Sequence, residues 1–260
     1  MMSKNLVCIV LISFCTGVTS YAADLEREKR LAQEVEAGLF TGDAINLSYP
    51  GGKFLAIDTV PQATDKKYGA IILHGRGFHP DWPDVVAPLR IFLPEHGWRT
   101  LAIQLPVLDK EAKYYDYVPI FPESYPRIES AIAYLRKHGI EKIALIAHSC
   151  GVHMAMAWIR EKGDSSIDAF IGIGMGATDY QQPMKQPFPL DKMKVPVLDI
   201  YGDQEYPAVL RDAPLRLAAI QEAGNPRSKQ IRVVGADHYF RNNTAPKLNE
   251  EVLAWLNNAW

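Results

Sequence analysis

Short, continuous runs of apolar residues alternate along the chain with longer segments in which apolar residues recur at helical spacing. The apolar runs predict strands at residues 53–60, 68–73, 99–105, 143–147, 168–174, 195–201 and 230–234. The helically spaced segments predict helices at residues 24–39, 82–96, 127–138, 152–159, 207–223 and 244–260. This alternation predicts an α/β fold, in which a mostly parallel sheet carries helices on both faces. Functional residues are expected at the carboxyl ends of its strands.

Two stretches between these elements have neither periodicity. Residues 106–126, here called the aromatic connection, are rich in Tyr and Phe and contain four prolines. Residues 177–191, here called the second excursion, are rich in Pro and Gln. The aromatic connection is too irregular for a predicted element and too aromatic for a passive loop. Its side chains either cover a site or pack locally, and the pattern leaves both interpretations open.

The first 22 residues predict a cleaved signal peptide. Lys4 supplies the basic region, residues 6–14 supply the apolar core, and the small residues Ser20 and Ala22 are placed for cleavage after Ala22. The apolar core is too short to span a bilayer comfortably, so we expect no transmembrane anchor in the mature chain. The predicted location is the periplasm or the exterior of the cell.

The rest of the chain predicts one large domain with a helix docked on it. Residues 23–43 are the N-terminal amphipathic segment, and residues 44–260 are long enough for a single domain with a sizeable core. The net charge is −2 at pH 7, and the basic residues are spread along the chain rather than clustered. Neither nucleic acid nor an anionic membrane surface is therefore predicted as a partner. The pattern does not set the oligomeric state.

Cysteine and histidine spacing argues against disulfides and metals. Two of the three cysteines lie in the predicted signal peptide, so the mature chain would keep Cys150 and form no intramolecular disulfide. His148 and His153 do not have the spacing of a helical zinc pair, and the chain contains no His-Glu-x-x-His. We predict neither a metal nor a cofactor.

The candidate chemistry begins where a predicted buried strand meets a predicted buried helix. From residue 147 to residue 151 the chain reads Ala-His-Ser-Cys-Gly, with small residues two before and two after Ser149. A serine on so sharp a turn is held in a strained conformation with its hydroxyl exposed at the end of the sheet, as in a nucleophile elbow. The alternative is a serine that only caps the helix.

Two later strands end in groups that could activate this serine. His238 follows the last predicted strand, and Asp203 and Glu205 follow the strand before it. A serine hydroxyl is a weak nucleophile unless a base takes its proton, and a third group, usually a carboxylate, must orient that base. Serine, acid and histidine thus occur in the chain order of the α/β hydrolases, with either carboxylate available as the acid.

The chain resembles the α/β-hydrolase superfamily, especially its dienelactone-hydrolase-like and small esterase branches and uncharacterised exported bacterial members. The resemblance runs from about residue 68 to the C-terminus. It rests on four pieces in the correct order, which are His-Gly at residues 74–75, the Ser149 turn, Leu-Asp-Ile-Tyr-Gly at residues 198–202 followed by an acid, and Ala-Asp-His at residues 236–238. It implies Ser149 as nucleophile and His238 as base. It favours Glu205 as the acid, three residues after the glycine, with Asp203 as the alternative.

The resemblance also implies an oxyanion hole made by the backbone amides of Cys150 and Arg76. Cys150 itself is not at the nucleophile position, and its thiol is expected to pack as a small apolar group. The Arg76 side chain either binds an anionic group of the substrate or lies in solvent at the mouth of the loop.

Together these residues predict an exported serine hydrolase that acts through an acyl-enzyme on a small-molecule or acyl substrate. A carboxylic ester is the favoured bond, and thioester, lactone and amide bonds stay open. The alternative function is a catalytically inactive scaffold of the same fold with a binding role in the cell envelope.

Overall fold

The structure, a computed structural model, describes residues 22–179 and 182–259. Its strands are β1 (Asp43–Tyr49), β2 (Gly52–Thr59), β3 (Tyr68–Leu73), β4 (Arg99–Ile103), β5 (Lys142–His148), β6 (Ala169–Ile173), β7 (Val197–Gln204) and β8 (Lys229–Asp237). They form one sheet in the order β1-β2-β4-β3-β5-β6-β7-β8. The pairs β1–β2 and β2–β4 are antiparallel, and the remaining pairs are parallel. The predicted signal peptide lies outside the described residues except for Ala22.

The helices are α1 (Leu25–Gly38), α2 (Val86–Glu95), α3 (Tyr114–Tyr117), α4 (Tyr125–Lys137), α5 (Cys150–Lys162), α6 (Pro207–Glu222) and α7 (Ala245–Leu256). Short 3₁₀ helices occupy Val118–Ser124 and Leu190–Lys192. No helix within the described ranges is both long enough and apolar enough to cross a membrane.

Side chains of the central strands alternate between two apolar layers. In β5, Leu145 packs in the layer that contains α4 and α5, whereas Ile146 packs in the layer that contains α2 and α7. Residues 150–159 of α5 are all buried. A sheet covered on both faces explains why its strands appear in the sequence as continuous apolar runs. The predicted α/β fold is confirmed.

Beyond small shifts in the bounds of other elements, three differences between the predicted and the observed structure stand out. β1 is absent from the prediction because Leu47 is the one buried residue of this edge strand, which leaves little apolar signal. The aromatic connection contains α3 and a 3₁₀ helix, where prolines interrupt the helical spacing. β7 ends at Gln204 rather than residue 201, and β8 ends at Asp237 rather than residue 234. These later ends change which residues follow a strand directly.

α1 docks on the domain through a buried ion pair. Glu28 accepts two hydrogen bonds from Arg127 of α4, at 2.7 and 3.1 Å. Glu28 also accepts the Val107 N–H at 3.4 Å. Val35, further along α1, packs on a small apolar cluster with Leu55 of β2. Both charge and apolar contact therefore fix the helix on the sheet and on the start of the aromatic connection.

A second buried ion pair holds the C-terminal half of the sheet to α6. Asp199 of β7 lies 2.8 Å from Arg216 Nε of α6 and 2.8 Å from Gln230 Nε2 of β8. Burial raises the pKa of Asp199, and the guanidinium of Arg216 opposes that shift. These bonds tie β7 to the helix that begins two residues after Glu205. Asp199 is thus structural, as its position inside a strand suggests.

We expect Arg216→Met to lower the free energy of unfolding by about 3–5 kcal/mol, because it leaves the Asp199 carboxylate buried without its cation. Urea unfolding followed by circular dichroism measures the effect, and Arg232→Met at an exposed position of β8 is the control. Adding Asp199→Leu to Arg216→Met should recover part of the loss, since no unpaired charge then remains. An unchanged midpoint for Arg216→Met would contradict a stabilising role for the pair.

Candidate active site

Ser149 occupies a strained turn between β5 and α5. Its φ of 54° and ψ of −120° lie in a region that residues other than glycine seldom adopt. Its N–H donates to the carbonyl oxygen of Ile173 at the end of β6, at 3.0 Å. The serine side chain makes no capping hydrogen bond to α5. The backbone is therefore held while the hydroxyl points away from the helix, which disfavours the interpretation of Ser149 as a simple helix cap.

The small residue after the turn is needed because α5 starts against the end of β3. A β-carbon on Gly151 would lie 2.5 Å from the carbonyl oxygen of His74 and 3.1 Å from that of Leu73. A backbone carbonyl cannot yield that space without moving the strand. On the other side of the turn Ala147 is fully buried, and its methyl group is accommodated.

Ser149, His238 and Glu205 form one chain of hydrogen bonds. His238 Nε2 lies 2.8 Å from Ser149 Oγ, and His238 Nδ1 lies 2.6 Å from Glu205 Oε2. His238 and Glu205 are 2% and 6% exposed. When Nδ1 donates to the carboxylate, Nε2 is left as an acceptor that faces the hydroxyl. That is the tautomer a general base needs.

Glu205 meets His238, and Asp203 does not, because β7 extends further than predicted. Asp203 lies inside β7, and its carboxylate accepts the N–H of Gly235 at 2.8 Å. Glu205 is the first residue after the strand and also accepts the N–H of Tyr206 at 3.1 Å. The chain order left both carboxylates as candidates for the acid, and the geometry places Glu205, and not Asp203, against His238.

Two neighbouring residues fix the position of the His238 ring. His148 Nε2 donates to the His238 carbonyl oxygen at 2.9 Å, and burial lowers the pKa of His148 to about 3, so its ring is neutral at pH 7. A β-carbon on Gly174 would lie 2.8 Å from Glu205 Oε1 and 2.9 Å from His238 Cε1. The predicted strand 168–174 ends at Gly174, but nothing in the sequence pattern shows that this glycine or His148 contacts His238.

The turn after β3 lies against the serine. A β-carbon on Gly75 would lie 3.4 Å from Ser149 Cβ. His74 Nδ1 donates to the Gly75 carbonyl oxygen at 2.7 Å, and its Nε2 accepts the N–H of Leu105 at 2.9 Å. The Gly75–Arg76 peptide bond is trans, so its C=O and N–H point in opposite directions. Because the carbonyl points towards His74, the Arg76 N–H points away from His74. Burial lowers the pKa of His74 to about 3, and the neutral ring can donate at one nitrogen and accept at the other.

Cys150 offers an amide rather than a thiolate. It is the first residue of α5, so its N–H has no acceptor within the helix and lies at the positive end of the helix dipole. Burial raises the pKa of the Cys150 thiol to about 12. The thiol therefore stays protonated near neutral pH and packs in the core beneath the turn.

The Arg76 side chain lines the cleft and forms an ion pair within the protein, which neither interpretation from the sequence includes. Its guanidinium binds Asp179 of the second excursion through two bonds of 2.5 and 3.0 Å. Asp179 also accepts the Tyr114 N–H at 2.6 Å. Burial alone would raise the pKa of Asp179, but the hydrogen bonds from Arg76 and Tyr114 outweigh it and hold the pKa below its usual value. The pair connects the turn after β3 with both irregular stretches.

A cleft of about 1220 Å³ opens in front of Ser149. Its aromatic lining is Phe78, Tyr114, Tyr206 and Tyr239, and its charged lining is Arg76, Lys110, Lys113, Arg211 and Asp179. The Tyr206 ring centre lies 4.5 Å from that of His238. Tyr117 and Phe121 of the aromatic connection are instead buried in the core. The connection thus lines the cleft with one part and packs locally with the other. Tyr180 of the second excursion lies outside the described residues.

Across residues 22–179 and 182–259, no three His, Cys, Asp or Glu side chains converge where a metal ion could be held. The arrangement at the cleft instead combines a hydroxyl, a base that faces it and a carboxylate behind the base. These groups have the chemistry of acyl transfer.

Comparison with known proteins supports the fold. A family model described as "Protein of unknown function (DUF3530)" matches residues 16–117 and 123–258. No curated protein matches the chain in sequence. The chain is similar to an α/β serine hydrolase homologue from Coxiella burnetii, with 19% identity, 85% of this chain and 99% of that chain covered, and a TM-score of 0.61.

Two further solved structures are similar. The dienelactone hydrolase from Anabaena variabilis has 17% identity over 84% of this chain and 98% of that chain, with a TM-score of 0.62. An esterase from Exiguobacterium antarcticum has 15% identity over 83% of this chain and 100% of that chain, with a TM-score of 0.60. At these identities the similarity shows the α/β-hydrolase fold, which is the fold that the resemblance implies.

We expect Cys150 to resist thiol reagents in the folded protein, because it is buried and its raised pKa leaves almost no thiolate. In a chain that begins at Ala23, Cys150 is the sole thiol. Ellman's reagent should release about one equivalent of colour per chain after guanidinium unfolding and almost none before it. Rapid modification of the folded chain at mildly alkaline pH would show that the thiol is accessible and ionised.

Proposed function

The chain belongs to the family described as "Protein of unknown function (DUF3530)", and we propose that it is a serine hydrolase that cleaves a carboxylic ester through an acyl-enzyme on Ser149. The observation that carries the proposal is the chain of hydrogen bonds from Ser149 Oγ to His238 at 2.8 Å and from His238 to Glu205 at 2.6 Å. It starts at a residue whose strained backbone exposes the hydroxyl to a cleft.

In the first half of the proposed reaction, Ser149 Oγ attacks the carbonyl carbon of the ester while His238 Nε2 takes the hydroxyl proton. Glu205 stabilises the imidazolium that forms, because its carboxylate already accepts the bond from Nδ1. Negative charge moves to the former carbonyl oxygen, where the amides of Cys150 and Arg76 would donate to it. Collapse of this intermediate breaks the ester bond, and the departing alcohol takes the proton from His238.

In the second half, water replaces the alcohol. His238 takes a proton from the water, whose oxygen attacks the carbonyl carbon of the acyl group on Ser149. The bond between that carbon and Ser149 Oγ then breaks, the carboxylic acid leaves, and His238 returns the proton to Oγ. The base therefore acts twice and ends as it began. Thioester, lactone and amide bonds can pass through the same steps, so the choice among them depends on the lining of the cleft rather than on these residues.

The alternative of an inactive binding scaffold is less well supported. A scaffold retained for binding has no need of a carboxylate at 2.6 Å from the base, or of a positive φ at Ser149. Such strain costs of order 1–3 kcal/mol per residue and persists where surrounding contacts impose it. The strained residue is the one that carries the hydroxyl facing His238, and this favours a hydrolase over a binding scaffold.

We further propose that the hydrolase is exported to the periplasm or the exterior of the cell, because residues 1–22 have the basic, apolar and small-residue regions of a signal peptide. Its partner is a small-molecule or acyl substrate that enters the cleft. The aromatic side chains beside the serine suit an apolar part of such a substrate.

We expect a fluorophosphonate probe to label the folded chain at Ser149, because phosphonylation needs an activated hydroxyl beside a base. Ser149→Ala and the heat-unfolded chain should not be labelled, whereas Ser165→Ala, at an exposed serine, should be labelled like wild type. On a series of acyl esters of increasing chain length, Ser149→Ala should have a rate of hydrolysis about 10⁴-fold or more below that of wild type. If folded wild type stays unlabelled beside an active hydrolase, the proposed activity is wrong.

We expect Glu205→Gln and Asp203→Asn, which each replace a carboxylate near the end of β7 by its amide, to have very different effects on kcat. Glu205→Gln should lower kcat by about 10²–10⁴-fold, because it removes the charge that stabilises the imidazolium and can select the wrong tautomer of His238. Asp203→Asn should keep kcat within a few-fold, because an amide oxygen can still accept the Gly235 N–H. Steady-state kinetics on one ester compares them. Equal losses in the two variants would remove Glu205 from the proposed mechanism.

A further inference from the structure

The backbone nitrogen that follows the predicted cleavage point lies beside a carboxylate. Ala23 N is 3.2 Å from Glu123 Oε2, on a residue 100 positions away in the chain. Ala23 is 9% exposed, whereas Ala22 before it is exposed. The next amide, of Asp24, donates to the Val107 carbonyl oxygen at 2.8 Å. The chain is thus fixed in place from Ala23 onward.

The surroundings of Ala23 N contain more negative than positive charge. Glu28 and Glu123 lie close enough that Glu123 helps to raise the pKa of Glu28, together with the larger effect of burial. Arg127 is the cation that binds Glu28, and among the described residues no ion pair includes Glu123. A second cation at this place would balance the second carboxylate.

We propose that Glu123 is the binding site for the α-ammonium group of Ala23, which is created when a leader peptidase hydrolyses the Ala22–Ala23 bond. Water adds across that bond, leaving a carboxylate on Ala22 and an amine on Ala23. The amine takes up a proton, since an α-amino group has a pKa of about 7.7–8.0. A neutral amide donor at 3.2 Å then becomes a charged one, and charge-assisted hydrogen bonds are about twice as strong.

Two features of α1 suit a cation at this place. Positive charge before a helix is ordinarily unfavourable, because the helix dipole is positive at its N-terminus. Here Asp24 caps the helix by accepting the Arg27 N–H at 2.9 Å, and Glu26 and Glu28 lie in the first turn. These carboxylates and Glu123 oppose the positive end of the dipole, so a cation at Ala23 is less unfavourable than at an ordinary helix start.

The ion pair would also brace the turn after β3. Arg27 of α1 donates to the Gly77 carbonyl oxygen at 3.1 Å and to the Leu108 carbonyl oxygen. Gly77 follows Arg76, whose amide is a proposed oxyanion donor. Docking of α1 at Ala23 therefore holds a neighbour of the catalytic turn. The inference rests on the proposed export, and only this last consequence rests on the proposed hydrolysis.

The test compares chains that begin at Ala22 and at Ala23, each in the Ser149→Ala background so that the stability readout is independent of activity. Both chains carry one terminal ammonium, displaced by one residue. We expect the Ala23 chain to have a Tm about 2–4 °C higher, the shift typical of one modest interaction in a domain of this size. Glu123→Gln should abolish the difference, whereas Glu95→Gln, at an exposed position of α2, should preserve it.

Equal Tm values for the two starts, or a difference that survives Glu123→Gln, would overturn the binding site. N-terminal sequencing of the exported chain tests the processing step separately, with Ala23 expected as the first residue. Another first residue would overturn the link to cleavage. Because these measurements use an inactive variant and a sequence readout, failure of the proposed hydrolase activity would leave them interpretable, and their failure would leave the probe labelling of Ser149 unaffected.

Discussion

The contact between the start of α5 and the end of β3 is the constraint on which the candidate site depends. The backbone of Gly151 lies so close to the His74 carbonyl that no β-carbon fits there, and Ser149, directly before the helix, has a positive φ. Such strain costs about 1–3 kcal/mol. Burial of one large apolar side chain contributes about 1.5–3 kcal/mol, and α5 buries several, including Val152, Met154 and Ile159. Packing of the helix therefore outweighs the strain at the nucleophile.

Two neutral histidines hold the backbone of the groups that would act in catalysis. A neutral ring has one donor and one acceptor, which lets His74 hold the Gly75 carbonyl and the Leu105 amide together. A protonated ring would have two donors and would lose the bond from Leu105. His148 likewise holds the backbone of His238. Burial lowers the pKa of His74 and His148 to about 3, so both rings keep these roles at neutral pH.

The fold and the order of the candidate site residues could be predicted because their causes are local. Apolar runs identify buried strands, and a serine between small residues identifies a sharp turn. The choice between Glu205 and Asp203 depends on where β7 ends, and after a register shift Gln204 pairs with Asp237, so the strand continues to that residue. Pairing of β7 with β8 is a tertiary effect, so no pattern within β7 determines it. The resemblance to a family favours Glu205, but only the pairing register of β7 with β8 shows which carboxylate reaches His238.

The contacts of the Arg76 side chain and of the Tyr206 ring could not be predicted, for a related reason. Each depends on a partner far away in the chain, and stretches without periodicity carry no signal for such partners. Arg76 illustrates the consequence. Its amide belongs to the turn that lies against Ser149, while its side chain binds Asp179, which in turn accepts the Tyr114 N–H. A bidentate pair of this kind fixes direction as well as distance.

Residues 76–77 are consequently held from three sides. The second excursion and the aromatic connection act through Asp179, and α1 acts through the bond from Arg27 to the Gly77 carbonyl. These are charged, directional contacts on a loop rather than apolar packing. A change in either irregular stretch would therefore shift the backbone of Arg76, whose amide is the proposed oxyanion donor. The residues that would select the substrate and the residue that would stabilise the transition state are coupled by this one side chain.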